Sequence, residues 1–275
     1  MDPAPNHPGP EYRVCIAGDV VPPHIHGVMV EIWRGDIHIN NVTVGGFVTV
    51  GSRRLALTAA TGFYPCRPTS GIDTVIDESE YDLLEDVGLD VLSTRIPSNP
   101  ETASPPDFSS TSNVRRTKIG YLHFISDMTS YDDSSSGLNW ALIEITHPTI
   151  LKGNKLYLWA SDPSVSESDI HILPASGPLR SKIVSDAILR IPGIAGAPQP
   201  VLVASRYLTG YGNSGTWVAR VGDHRPVGML IAKCEGQNQS YLLKMEDILD
   251  DIAAQTWRPV EIAPTIAESF IVTPR

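Results

Sequence analysis

The stretch VGGFVTVGSRRLALTAATGF, residues 44–63, decides the fold. Val42, Val44, Phe47, Val48 and Val50 supply the β-branched and aromatic side chains that suit a pleated surface. Gly45-Gly46 reads as a bend or bulge within that run. RLALTAA then follows as a second short apolar run, and neither segment carries a helical period. The reading is strand, turn, strand.

The same texture extends outward. VMVEIW and IHINNVTV precede the stretch; TKIGYLHFIS, NWALIEIT, SKIVSDAILRIP and QPVLVASRYL follow it, and GTWVARV, RPVGMLIAKC and SYLLKM come later. With 22 glycines and 23 prolines among 275 residues, the chain is punctuated for many short strands rather than long helices. One segment differs. In KMEDILDDIAAQ, Met245, Ile248, Leu249 and Ile252 recur at i, i+3, i+4 and i+7, which predicts an amphipathic helix. An all-β protein with a helix near its carboxyl end is expected, as two packed barrels or one large sandwich. Residues 1–13 are Pro-rich and read as a loose segment, residues 14–257 as the domain, and residues 258–275 as a tail.

Residues 66–116 change character. Eight carboxylates and no Lys or Arg lie between Asp73 and Asp90, and PSNPETASPPDFSSTSN then cannot easily pair into a sheet. This reads as a long surface insertion; its acidic part is a solvated face or a patch for a basic partner. The net charge of −10 argues against a nucleic-acid groove or an anionic membrane as partner. No segment has the apolar length of a membrane span or of a signal core, and Cys15, Cys66 and Cys234 show no CxxC spacing. An intracellular, cytoplasmic protein with reduced, buried thiols is the simplest expectation.

LTGYGNSGTWV, residues 208–218, raises the question of chemistry. On its own, a serine between two glycines is a turn as readily as a nucleophile, because Asn and Gly tolerate positive φ. Three blocks together say more. VGGFVTVGSRRLALTAATGF (44–63), GLNWALIEI (137–145) and GYGNSGTWV (210–218) with RPVGMLIAKC after it resemble, in order, the histidine, aspartate and serine blocks of trypsin/chymotrypsin-like serine proteases. The resemblance covers about residues 27–257, and the insertion accounts for the 78 residues between the first two positions, 61 and 139. It implies two packed antiparallel β-barrels of trypsin/chymotrypsin type with a C-terminal helix.

The same resemblance marks what is missing. Where the family has its histidine base stands Thr61, and where it has aspartate stands Asn139. Ser214 remains, and an oxyanion hole would be formed by the N–H groups of Gly212 and Ser214. A serine hydroxyl needs a base to take its proton and an acid to protonate the leaving group. Threonine does neither near neutral pH, and asparagine cannot stabilise an imidazolium. The implied function is a pseudoprotease: a binding or regulatory module whose cleft receives an extended peptide or protein by strand addition. Leu208, six residues before Ser214, falls where the base of the specificity pocket is expected and would make it apolar.

Two other readings stay open. A displaced base, drawn from His7, His24, His26, His38, His123, His147, His171 or His224 with a carboxylate such as Asp132 or Asp133, would make the chain an active serine hydrolase. An assembly or scaffold domain would work through the acidic insertion instead. His24-x-His26 could place two imidazoles on one strand face, but no third ligand follows at a telling spacing, so no metal and no cofactor are expected.

Overall fold

The computed structural model describes residues 12–64, 115–126, 137–155, 166, 168–189, 198–206, 212–221, 223–234 and 238–266. The expected insertion, its acidic run, the loose segment up to residue 11, and Leu208 lie outside these residues, apart from the insertion's last two positions.

Among the described residues there are two large antiparallel sheets and one two-stranded parallel pair. The first uses β1 (Tyr12–Ala17), β2 (Met29–Arg34), β3 (Ile37–Thr43), β4 (Gly46–Val50), β5 (Arg53–Thr58), β6 (Arg116–Ile125) and β7 (Ala141–Ile145). A two-residue strand, β8 (Asn154–Lys155), lies beyond it. The second sheet uses β9 (Asp169–Ile172), β10 (Leu179–Leu189), β11 (Gln199–Ala204), β12 (Trp217–Arg220), β13 (Pro226–Cys234) and β14 (Gln239–Lys244). Helix α1 (Met245–Thr256) follows directly, then β15 (Val260–Ile262) and β16 (Thr265–Ile266).

The second sheet closes into a six-stranded barrel in the order β10-β11-β14-β13-β12-β9, so each strand has two partners and no edge is exposed. The first is an eight-stranded sheet, β15-β4-β5-β7-β6-β1-β2-β3, whose edges are β15 and β3. The two-barrel expectation is thus met in strand content and pairing, and ladder hydrogen bonds close one of the two. The ordered sheet also runs beyond residue 257. Val260–Ile262 pairs with Val48–Val50, and Ala263 donates to the Phe47 carbonyl at 3.0 Å.

The side chains explain why the strand runs are nearly continuous in apolar residues. Leu55, Leu57 and Leu142 face one core, while their neighbours Ala56, Ala141 and Ile143 face another. In the barrel, Trp217, Met229, Ile231, Tyr241 and Leu243 point out to the core between the sheets, while Val218, Leu230 and Leu242 fill the barrel interior. Strands buried on both faces lose the apolar–polar alternation of a half-exposed sheet. The shared core also takes Met245, Ile248 and Ile252 of α1, on the predicted helical stripe.

Gly45-Gly46 makes no bulge in the β4–β5 register. A Cβ on Gly45 would fall 1.9 Å from Trp217 Cδ1, and one on Gly46 2.6 Å from Cζ3 of the same indole. The pair exists so that a fully buried tryptophan of the barrel can lie against the backbone of the first sheet.

Candidate functional site

Thr61 and Asn139 meet. Thr58 ends β5, and a 3-10 turn over Ala60–Phe63 carries Thr61 out of the strand. On the other side, Leu138–Trp140 forms a tight three-residue turn, with Trp140 N–H donating to the Leu138 carbonyl at 2.8 Å. That turn drives the Asn139 side chain inward, where it is wholly buried. Its Oδ1 accepts the backbone N–H of Thr61 at 2.9 Å. Its Nδ2 has no partner among the described residues.

Helix α1 holds this turn from behind. Asp251 accepts the Trp140 indole N–H at 2.6 Å and the Leu138 N–H at 3.2 Å. Gln255 donates to the same carboxylate and to Ser126 Oγ. The residues on both sides of Asn139 are therefore fixed by one acid. Sequence reading did not single out Asp251, because a carboxylate in an amphipathic helix looks like any solvated one.

The serine arrives from the barrel. Gly212 (φ +82°) and Gly215 (φ +99°) bracket it in left-handed backbone, where a side chain is strained. A Cβ on Gly215 would lie 2.1 Å from the Thr43 carbonyl oxygen and 2.5 Å from Thr58 Oγ1. The serine loop is thus pressed against the end of the strand that leads to Thr61.

Thr43 joins the two sides. Its N–H donates to the Ser214 carbonyl at 2.8 Å, its Oγ1 donates to the Gly212 carbonyl at 2.7 Å, and its own carbonyl accepts Thr58 Oγ1 at 2.7 Å. Its neighbour Val42 packs against Gly62, where a Cβ would come within 1.8 Å of Val42 Cγ1. Thr43 was also missed from sequence, since a threonine in a β-branched run signals only a strand.

All three loop carbonyls are occupied. Besides the two taken by Thr43, the Asn213 carbonyl accepts Thr216 Oγ1 at 2.7 Å and Thr216 N–H at 3.1 Å. Among the described residues, the N–H groups of Gly212 and Ser214 find no acceptor. Ser214 Oγ donates to the Ile231 carbonyl at 3.3 Å, and no nitrogen of the seven described histidines takes its hydrogen bond.

His26 is buried, its ring edge-on to Trp217 at 5.6 Å. No group of three His, Cys, Asp or Glu among the described residues is placed to hold a metal ion. Cys15 is buried and free, and burial pushes its thiol up. Cys66 and the Cys234 side chain lie outside the described residues. No described helix is long and apolar enough to cross a membrane.

No model of a known protein family matches the chain, and no curated protein matches it. Solved structures to which it is similar are trypsin/chymotrypsin-like serine proteases. Protease A of Thermobifida fusca is 12% identical, with 82% of this chain and 95% of that one covered, at a TM-score of 0.42. The Cellulomonas bogoriensis chymotrypsin is 10% identical over 82% of this chain and 98% of that one, at 0.39. The Rv3671c protease of M. tuberculosis in its active form is 12% identical over 94% of this chain and 86% of that one, at 0.38.

Proposed function

We propose that this chain is a serine-protease homologue that binds a peptide or protein segment in its cleft without cleaving it. The observation that carries the reading is the Ser214 hydroxyl, which donates to a main-chain carbonyl and makes no hydrogen bond to an imidazole among the described residues. The residue at the base position, Thr61, contributes a backbone N–H to Asn139 and has no side chain able to take a proton at neutral pH.

Each remaining part of the site supports binding rather than turnover. The serine hydroxyl without a base is a weak nucleophile, and Asn139 offers an amide where a developing positive charge would need a carboxylate. The loop carries two N–H donors without an acceptor among the described residues, which suits recognition of a carbonyl or an anion.

A fluorophosphonate probe tests this. The expected result is no stoichiometric labelling of Ser214 at neutral pH, with the same trace for wild type and Ser214→Ala. Stoichiometric labelling that disappears in Ser214→Ala would restore the active hydrolase with a displaced base.

A further inference from the structure

We infer that the Ser214 corner is a receptor for a carboxylate, specifically the free C-terminus of a peptide. This deepens the peptide-binding reading and rests on it.

The loop's polar atoms are sorted by sign. Carbonyls 212, 213 and 214 are consumed by Thr43 and Thr216, while the N–H groups of Gly212 and Ser214 find no acceptor among the described residues. Gly215 N–H is spent on the Leu230 carbonyl at 2.8 Å, so the two N–H groups of Gly212 and Ser214 are what such a loop can aim at an anion, as in an anion nest. The glycine at +82° is what lets the backbone turn its amides this way.

The two departures from the catalytic pattern act in the same direction. A carboxylate at position 139 would repel an anion, and Asn139 is neutral. Its Nδ2 is buried without a partner among the described residues, so it adds no competing negative charge to the corner. Thr61 replaces a proton acceptor with a small hydroxyl. The 3-10 turn that carries it packs through Gly62 on Val42, next to the Thr43 that holds the serine loop. No side chain of Thr43, Thr61, Asn139 or Ser214 bears a negative charge.

An intact amide carbonyl is neutral and gains little from such a cradle until a nucleophile converts it to an oxyanion. Without a base that oxyanion does not form. A carboxylate carries the charge permanently, and its hydrogen bonds to N–H are roughly twice as strong as those of a neutral acceptor. General attraction for anions is not the source, because the whole chain carries a net charge of −10.

The test uses the full chain, immobilised, with a degenerate N-acetylated hexapeptide library in two forms, free acid and C-terminal amide. Captured peptides are identified by mass spectrometry, resynthesised in both forms and titrated by calorimetry. The free acid is expected to bind at least tenfold more tightly than its amide. Asn139→Asp, which keeps the acceptor for Thr61 N–H but adds a charge, is expected to erase most of that difference. If that variant does not fold, Thr61→Asp, at a half-buried position, makes the same comparison. Equal binding of acid and amide overturns the carboxylate inference and leaves the peptide-binding reading standing. Enrichment of neither form overturns both.

Discussion

The serine loop and the Thr61–Asn139 turn are held in place differently. From the barrel side come Gly212, Ser214 and Gly215, and from the side of the first sheet come Thr61 and Asn139. The structure gives a physical reason for the difference. Each glycine and the Asn139 oxygen has a packing duty of its own. Gly215 admits the Thr43 carbonyl, and Gly45 and Gly46 admit Trp217. The oxygen of residue 139 holds Thr61 N–H, a task that an amide performs as well as a carboxylate. The fold itself therefore needs the glycines on both sides of the interface.

Gly215→Ala is the hardest test of that contrast. It places a methyl 2.1 Å from a main-chain oxygen at a φ of +99°, so a loss of at least about 3 kcal/mol in urea unfolding is expected. Gly212→Ala meets the end of a flexible side chain, Met29 Sδ at 2.5 Å, and is expected to cost less, about 1–2 kcal/mol. A cost under 1 kcal/mol for Gly215→Ala would break the argument that packing preserves the motif.

On the base side, Asn139→Ala leaves a buried N–H of Thr61 without its acceptor. A loss of about 1–3 kcal/mol is expected by the same measurement. Ser214→Ala is expected to change stability by less than about 1 kcal/mol, since it removes one long hydrogen bond at 3.3 Å from a half-buried hydroxyl. If Ser214→Ala proved the costlier of these two, the serine would have a structural duty, and its survival would need no further explanation.

These residues also mark how much could be read from the chain. The strands and the helix were legible, because burial on two faces and glycine at forced positions leave compositional traces. Thr43 and Asp251 were not. Each acts through main-chain hydrogen bonds across 169 and 113 residues, respectively, and a pairing over such a separation leaves no local pattern. Gly45-Gly46 was legible as a special place but not for its reason, since the indole it accommodates lies far away in sequence. The closure of one sheet and not the other depends on register, which no run of residue types specifies.

The smallest expected effect separates the site from the barrel by pH. Thr61, Asn139 and Ser214 have no group that titrates near neutrality, so peptide affinity should be flat between about pH 6 and 8, where an imidazole would bend it. The fold should behave otherwise. His171 on β9 is held below its ordinary value of 6.5 by burial, then by the Arg180 guanidinium opposite it and by His224. Its unfolded form therefore binds a proton that the folded form resists. Its stabilising contribution is complete above about 6.5 and declines as pH falls from there toward the folded value. Asp169, held low by the Ser166 N–H with Lys182 and Arg180 nearby, loses its own contribution only at more acid pH, below its ordinary 3.8. Urea midpoints taken across this range should fall below pH 6.5 in the wild type and fall less in His171→Gln. A bend in peptide affinity that followed the unfolding profile would instead tie the site to a titrating group, and the contrast between a chemically silent corner and an acid-sensitive barrel would fail.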